Sequence, residues 1–105
     1  MRMWMIEPRL LCRNHLLGEH FEIHCAVGNL HKDGKWATYL TKQGYLEPQN
    51  FKQRHDEIVI EMEQRGYNHK SPLEVDVGFL VGHVDKSISM KDLKNRCVRC
   101  LVDRR

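Results

Sequence analysis

The chain has 105 residues, of which 41% are hydrophobic and 30% are charged, and its formal net charge is +3. This length suits one compact domain and is too short for two, and this composition disfavours wholesale disorder. No apolar run approaches the roughly 20 residues of a membrane span. Glu7, Pro8 and Arg9 interrupt the apolar N-terminal stretch, which disfavours a secretory signal. We therefore expect one soluble, cytoplasmic domain over residues 1–105, with no membrane contact.

The spacing of apolar residues predicts an all-α fold, compact and built from about three helices with long ordered loops. The first helix is expected over residues 8–31, because Pro8 suits a helix start and apolar residues follow at helical spacing. The second is expected over residues 48–65, where an apolar stripe alternates with charged faces. Gly66 directly after it has the character of a C-terminal cap.

A third helix is expected over residues 89–103, because Ser89-x-x-Asp92 resembles a capping box and an apolar face follows it. Between the second and third helices, within residues 71–86, apolar and acidic side chains alternate over residues 73–77 as in a short strand. A lone strand pair is marginal in water. We therefore expect an ordered loop packed on the helices.

Basic residues are concentrated near the end of the chain. Residues 86–105 contain seven lysines and arginines against Asp92 and Asp103, which leaves a local charge of +5. Such a block could neutralise phosphates of a nucleic acid, and a solvated helix face would account for it equally well.

The first predicted helix places three ionisable side chains on one narrow stripe. At 100° per residue, His15, Glu19 and Glu22 fall within an arc of about 60°, beside the apolar face. Two carboxylates at this spacing repel each other, which raises at least one pKa toward the range of a general acid or base. The alternative is a hydrogen-bonded network at the rim of the core, with His15 and Glu19 as an ordinary pair one turn apart.

A metal site is a further alternative. His20 and His24 are one helical turn apart, and Cys97-x-x-Cys100 has the spacing of metal ligands. A single pair of this kind is weak evidence, and both thiols fall on the apolar face of the third predicted helix, where reduced cysteines are common core residues. The sequence therefore predicts no metal ligands, and a small metal-binding protein stays the less favoured interpretation.

Several motifs together resemble a known family. They are Met1-Arg2, the helical stretch His15-Leu16-x-x-Glu19-x-x-Glu22 with Gly28 after it, and Arg65-Gly66-Tyr67-Asn68 at the end of the second helix. These motifs are similar to those of the pyrimidine-dimer DNA glycosylases of the phage endonuclease V type, and most closely to their bacterial branch. The resemblance covers residues 1–32 and 47–72, roughly half of the chain.

The resemblance implies a small helical enzyme that needs no metal or cofactor, removes a damaged pyrimidine and then cuts the DNA strand. Its nucleophile would be the α-amine of Met1, which forms an imine with the sugar. Glu22 would support the sugar chemistry and the β-elimination. We expect Met1 to be retained, because the bulky Arg2 follows it.

The implied partner is damaged double-stranded DNA, bound by a monomer. The candidate DNA-binding residues are Arg2, Asn14, His15, Lys32, Lys70, Lys94 and Arg96. Phe21 and Cys25 stand where the phage enzymes carry two arginines that contact phosphates, so a non-catalytic DNA-binding relative is the alternative.

Overall fold

The computed structural model describes residues 2–75 and 80–102. Within this part of the chain lie four α-helices and no β-strand. The helices are α1 (Arg13–Leu30), α2 (Lys35–Lys42), α3 (Phe51–Gln64) and α4 (Lys86–Arg96). Short 3₁₀ turns at Pro8–Leu10 and Pro48–Asn50 precede α1 and α3. The all-α prediction is confirmed for the described residues, with four helices in place of about three.

The core forms where α1 packs against α2 and α3. Helix α1 contributes Leu16, Ile23, Ala26 and Val27 to it. The extended segment before the first 3₁₀ turn adds Met3, Trp4 and Ile6. Met3 N–H donates to the carbonyl of Tyr45 over 2.8 Å, which fastens this segment beside the connection between α2 and α3. The segment from Met3 to Ile6 therefore contributes to the core.

The predicted helix 8–31 is wrong at its beginning, because residues 8–12 are not α-helical. Pro8 begins a single 3₁₀ turn, and α1 starts only at Arg13, after Cys12 as N-cap. The sulfur of Cys12 accepts a hydrogen bond from the backbone N–H of His15. The chain therefore changes direction between Leu10 and Arg13, which brings Cys12 to the start of α1.

Helix α2 was not expected from the sequence. It is short, and its N-cap is Gly34, which has a φ of 69° and offers no side-chain hydrogen bond. In place of such a cap, the side chain of Asn29 accepts from Ala37 N–H over 2.9 Å. Asp33 Oδ1 also accepts from Lys35 N–H over 3.0 Å, so the first turn of α2 is held by Asn29 of α1 and by the residue before its N-cap.

The second predicted helix agrees with α3, and Gly66 has the φ of 83° that suits its predicted cap position. The predicted loop also agrees, since residues 71–75 and 80–85 are neither helix nor strand. Residues 76–79 of that stretch lie outside the described part. Among the residues that the structure describes, no helix is long and apolar enough to cross a membrane.

The predicted helix 89–103 is wrong at both ends. Helix α4 begins one turn earlier, and its N-cap is Asp85, whose carboxylate accepts from the N–H groups of Ser87 and Ile88. Ser89 is not a cap, because it lies inside the helix and is fully buried. The helix ends at Arg96, so Cys97 and Cys100 lie in the irregular segment after it. Residue 103 lies outside the described part.

Candidate functional site

A pocket of about 230 Å³ lies between the N-terminal segment, α1 and the end of α4. It brings together six residues that the sequence analysis named, from three separate parts of the chain. Its lining consists of Arg2, Trp4, Asn14, His15, Gly18, Glu19, Glu22 and Arg96. The pocket is therefore the place where the N-terminal end of the chain, the carboxylates of α1 and basic side chains meet.

Glu22 lies directly beside the first peptide bond of the chain. Its Oε2 accepts a hydrogen bond from the backbone N–H of Arg2 over 2.8 Å. Burial raises the pKa of the Glu22 carboxyl above its ordinary value, and the Arg2 hydrogen bond opposes that rise. Met1 itself lies outside the described residues.

Glu19 has a different binding partner from Glu22, although both residues line the pocket. The guanidinium of Arg54 binds both Glu19 oxygens, from Nε over 2.5 Å and from Nη2 over 2.9 Å. Both side chains are almost completely buried. The alternative in which Glu19 pairs with His15 at the rim of the core is not what the structure shows, because the partner of Glu19 is Arg54 of α3. This leaves Glu22 as the carboxylate at the pocket that no cation pairs within the described residues.

The side chain of Arg2 links the N-terminal segment to α4. Its Nη1 donates to Asp92 over 2.8 Å, and its Nη2 donates to the hydroxyl of Ser89 over 2.7 Å. The guanidinium also lies over the rings of Trp4 and Tyr45, 4.7 and 5.3 Å from their centroids. Its Nε is buried and has no hydrogen-bond partner in the described structure. Arg2 is thus held firmly at the pocket wall.

The other predicted DNA-binding residues fall into two groups. Asn14 and Arg96 are exposed and line the pocket, from the first turn of α1 and the last turn of α4. Lys32, Lys70 and Lys94 are also exposed but do not line it. The structure therefore places two polar groups at the mouth of the pocket and leaves three lysines elsewhere on the surface.

His15 faces three cysteine side chains. Its Nδ1 lies 3.1 Å from Cys12 Sγ and 3.3 Å from Cys100 Sγ. The sulfur of Cys97 lies 3.8 Å from that of Cys12. The four donor atoms all lie within 4.8 Å of one another, a spacing at which they could hold one metal ion. We call these residues the cysteine cluster.

Four histidines form a separate group around α1 and α3, and we call them the histidine cluster. The Nε2 atoms of His24 and His55 are 3.2 Å apart, and those of His20 and His69 are 3.0 Å apart. Burial and the charges of the three other rings lower the pKa of His20 to about 4. The histidine cluster is therefore a packed set of imidazoles at the contact between α1 and α3, and it does not share a site with the cysteines.

Comparison with known proteins gives one match. The family model described as pyrimidine dimer DNA glycosylase matches residues 1–75. No curated protein and no solved structure matches the chain significantly. The matched range contains α1 to α3 and every pocket residue except Arg96.

Proposed function

This chain belongs to the pyrimidine dimer DNA glycosylase family, and we propose that it excises damaged pyrimidines from double-stranded DNA and then cuts the strand as an AP lyase. The observation that carries the proposal is the hydrogen bond from Arg2 N–H to Glu22 Oε2. It fixes a carboxylate of raised pKa next to the residue whose α-amine would react. An α-amine and a carboxylate side by side supply a nucleophile and a base at one point.

The α-amine is a suitable nucleophile at neutral pH. Its ordinary pKa lies near 7.7–8, so roughly a tenth or more is unprotonated at pH 7, whereas a lysine near 10.4 is almost wholly protonated. In the proposed reaction the nitrogen of Met1 bonds to C1′ of the sugar, and the bond from C1′ to the base breaks. The electron pair leaves with the base, which takes up the proton that the nitrogen loses. The C1′–O4′ bond then breaks, O4′ takes a proton from solvent, and a protonated imine results.

Glu22 would act after the base has left. Its negative charge stabilises the cationic imine, and its second oxygen, Oε1, makes no hydrogen bond within the described residues. That oxygen is free to take the proton from C2′, after which the bond from C3′ to the phosphate oxygen breaks by β-elimination. The raised pKa of Glu22 makes it a better base than an exposed glutamate. This chemistry uses no metal and no cofactor.

The DNA would lie across the mouth of the pocket. Asn14 and Arg96 are exposed there and would contact phosphates or sugars, with Lys94 on the same helix turn as Arg96. The buried guanidinium of Arg2 would hold the first peptide bond in place, because Asp92 and Ser89 already bind it. His15, Lys32 and Lys70 remain proposed contacts of the same kind. A target base must leave the stack to reach the pocket. We propose that the protein binds and cleaves damaged DNA as a monomer in the cytoplasm.

A borohydride trap tests the proposal. Borohydride added during the reaction with an abasic duplex should reduce the imine to a stable amine and leave a covalent protein–DNA complex. Peptide mapping should place the adduct on the N-terminal amine, and prior acetylation of that amine should abolish it while DNA binding persists. An adduct on a lysine would contradict the proposed nucleophile. Binding to duplex DNA without any adduct would indicate a non-catalytic relative.

Glu22→Gln tests the role of the carboxylate separately. Glutamine can still accept the hydrogen bond from Arg2 N–H, so the fold should persist, while strand cleavage should fall by about 100-fold or more. Glu63→Gln is the matched control, since Glu63 is an exposed glutamate of α3. Full cleavage by the Glu22 variant would show that this residue has no part in the reaction.

A further inference from the structure

The cysteine cluster joins two parts of the chain that are far apart in sequence. Cys12 is the N-cap of α1 and His15 lies in the first turn, whereas Cys97 and Cys100 follow the end of α4. Each pair has two intervening residues, so the cluster consists of two half-sites of equal spacing. We propose that Cys12, His15, Cys97 and Cys100 bind one Zn²⁺ ion in a structural site that fastens the C-terminal segment to the start of α1.

The distances fit a tetrahedral ion. Zinc binds sulfur at about 2.3 Å and histidine nitrogen at about 2.0–2.1 Å, so tetrahedral ligands stand about 3.8 Å apart for two sulfurs and about 3.6 Å apart for sulfur and nitrogen. The Cys12 and Cys97 sulfurs are 3.8 Å apart. Both sulfur–nitrogen distances to His15 Nδ1 are slightly shorter, at 3.1 and 3.3 Å. Small outward movements of the side chains would make room for the ion.

Backbone N–H groups point at all three sulfurs, as expected around thiolate ligands. Cys12 Sγ accepts from His15 N–H over 3.4 Å, and Cys100 Sγ accepts from Cys12 N–H over 3.2 Å. The N–H groups of Arg99 and Cys100 bind the sulfur of Cys97. Such outer hydrogen bonds orient the ligands of a metal and stabilise their negative charge. Each half-site thus carries its own supporting bonds.

The donor set favours zinc over a disulfide or a buried group of free thiols. A disulfide needs a sulfur–sulfur distance of about 2.05 Å and would use only two of the three cysteines. Three thiols and an imidazole in one place match the Cys₃His set of closed structural zinc sites. The histidine cluster is the competing donor set, but its two close Nε2 pairs are accounted for as hydrogen bonds from ring to ring.

The consequence of the site is local order. Binding would release the thiol protons to solvent and hold residues 97–102 against α1 through four bonds to the metal. In the described structure, Leu101 N–H donates to the carbonyl of Leu10 over 2.6 Å on the same side. Because His15 and Arg96 also line the pocket, the ion would fix one of its walls.

Metal content and the metal's surroundings test the proposal. Protein purified without a metal-affinity step from medium containing zinc sulfate should carry about one zinc per chain by mass spectrometry. X-ray absorption at the zinc edge of the wild-type protein should show three sulfurs and one nitrogen. This measurement needs no variant and therefore does not depend on whether a variant folds. Protein without zinc, or zinc surrounded only by nitrogen and oxygen, would overturn the proposal.

Three variants locate the ion. Cys97→Ser should lose at least about nine-tenths of the bound zinc, since removing one of four ligands weakens a structural site strongly. Cys25→Ser is the matched control, because Cys25 is a half-buried cysteine of α1 outside the cluster, and His20→Gln tests the histidine cluster. Both should keep their zinc. Loss of zinc from the His20 variant with retention in the Cys97 variant would overturn the proposal, as would a disulfide found by thiol titration in zinc-free protein.

Discussion

Arg54 and Glu19 form a two-point ion pair in which the arginine side chain is 2% exposed and the glutamate side chain is 0% exposed. The same guanidinium donates to the carbonyl of Ile6 over 2.7 Å, so one arginine of α3 holds both α1 and the N-terminal segment. One helical turn away, Glu22 has no such partner within the described residues. The structure thus gives the two carboxylates different surroundings, with Glu19 paired to a buried cation and Glu22 bound to a backbone N–H.

We predict that Glu19→Gln lowers the free energy of unfolding by about 3–5 kcal/mol, because it leaves the buried guanidinium without its counter-charge. The double variant Glu19→Leu with Arg54→Met should be more stable than the single variant, since no charge is then left buried and unpaired. Urea unfolding followed by circular dichroism measures both. If Glu19→Gln were as stable as the wild type, the ion pair of Glu19 and Arg54 would contribute little to the free energy of unfolding.

For Glu22 the expected effect on stability has the opposite sign. Its pKa is raised in the folded chain, so the folded state favours the protonated form. The stability that this raised pKa contributes is fully present at pH values below the pKa of Glu22 in the unfolded chain. It is lost as the pH rises through the pKa of Glu22 in the folded chain. Glu22→Gln should therefore be more stable than the wild type at pH 7, and this difference should vanish near pH 4. Thermal unfolding at a series of pH values checks it, and a difference independent of pH would contradict it.

The histidine cluster should make the fold sensitive to acid. The pKa of His20 is about 4 in the folded chain and near 6.5 when unperturbed. For a histidine with a lowered pKa, stability is present above about pH 6.5 and is lost as the pH falls toward 4, because the unfolded chain binds the proton more readily. Urea unfolding with a chelator present should show this loss. His20→Gln should flatten the profile between pH 6.5 and 4, whereas an unchanged profile would assign the loss to other groups.

Salt dependence tests the proposed phosphate contacts of α4. Each contact with duplex DNA contributes about 0.9 to the slope of log K against log salt, so Lys94→Gln with Arg96→Gln should flatten the slope by up to about 1.8. Damaged and undamaged duplexes should lose affinity equally, because phosphate contacts do not read bases. Lys52→Gln is the control, since Lys52 pairs with Asp56 on α3. An unchanged slope in the double variant would place α4 away from the DNA.

What the sequence predicts well is local structure with a strong signal of its own. The apolar stripe and the glycine cap of α3 both appear where they were expected. Helix α2 escapes prediction because Gly34 gives no side-chain cap and because one of its supporting bonds comes from Asn29 of the preceding helix. Ser89 and Asp92 led to a wrong helix start, because their spacing is typical of a capping box. In the structure both side chains instead bind the guanidinium of Arg2.

The site could be predicted only in part, because several of its contacts join residues that are far apart in the sequence. Arg54 and Glu19 are 35 positions apart, and no periodicity links them. The cysteine cluster did have a detectable signal, because the spacing of Cys12 and His15 repeats in Cys97 and Cys100. The second pair does lie in and against the core, but α4 ends at Arg96, so both thiols follow the helix and do not lie on its apolar face.

The way α4 is attached has a consequence for local unfolding. Only Ser89 and Leu93 of this helix are buried, and polar bonds from Arg2 supply much of its anchoring. A helix with so little buried apolar surface opens at a lower free energy than the core does. Its amide hydrogens should therefore exchange with solvent before those of α1. When α4 opens in this way, the Arg2 guanidinium loses Asp92 and Ser89 as partners while the packed helices α1 to α3 stay folded.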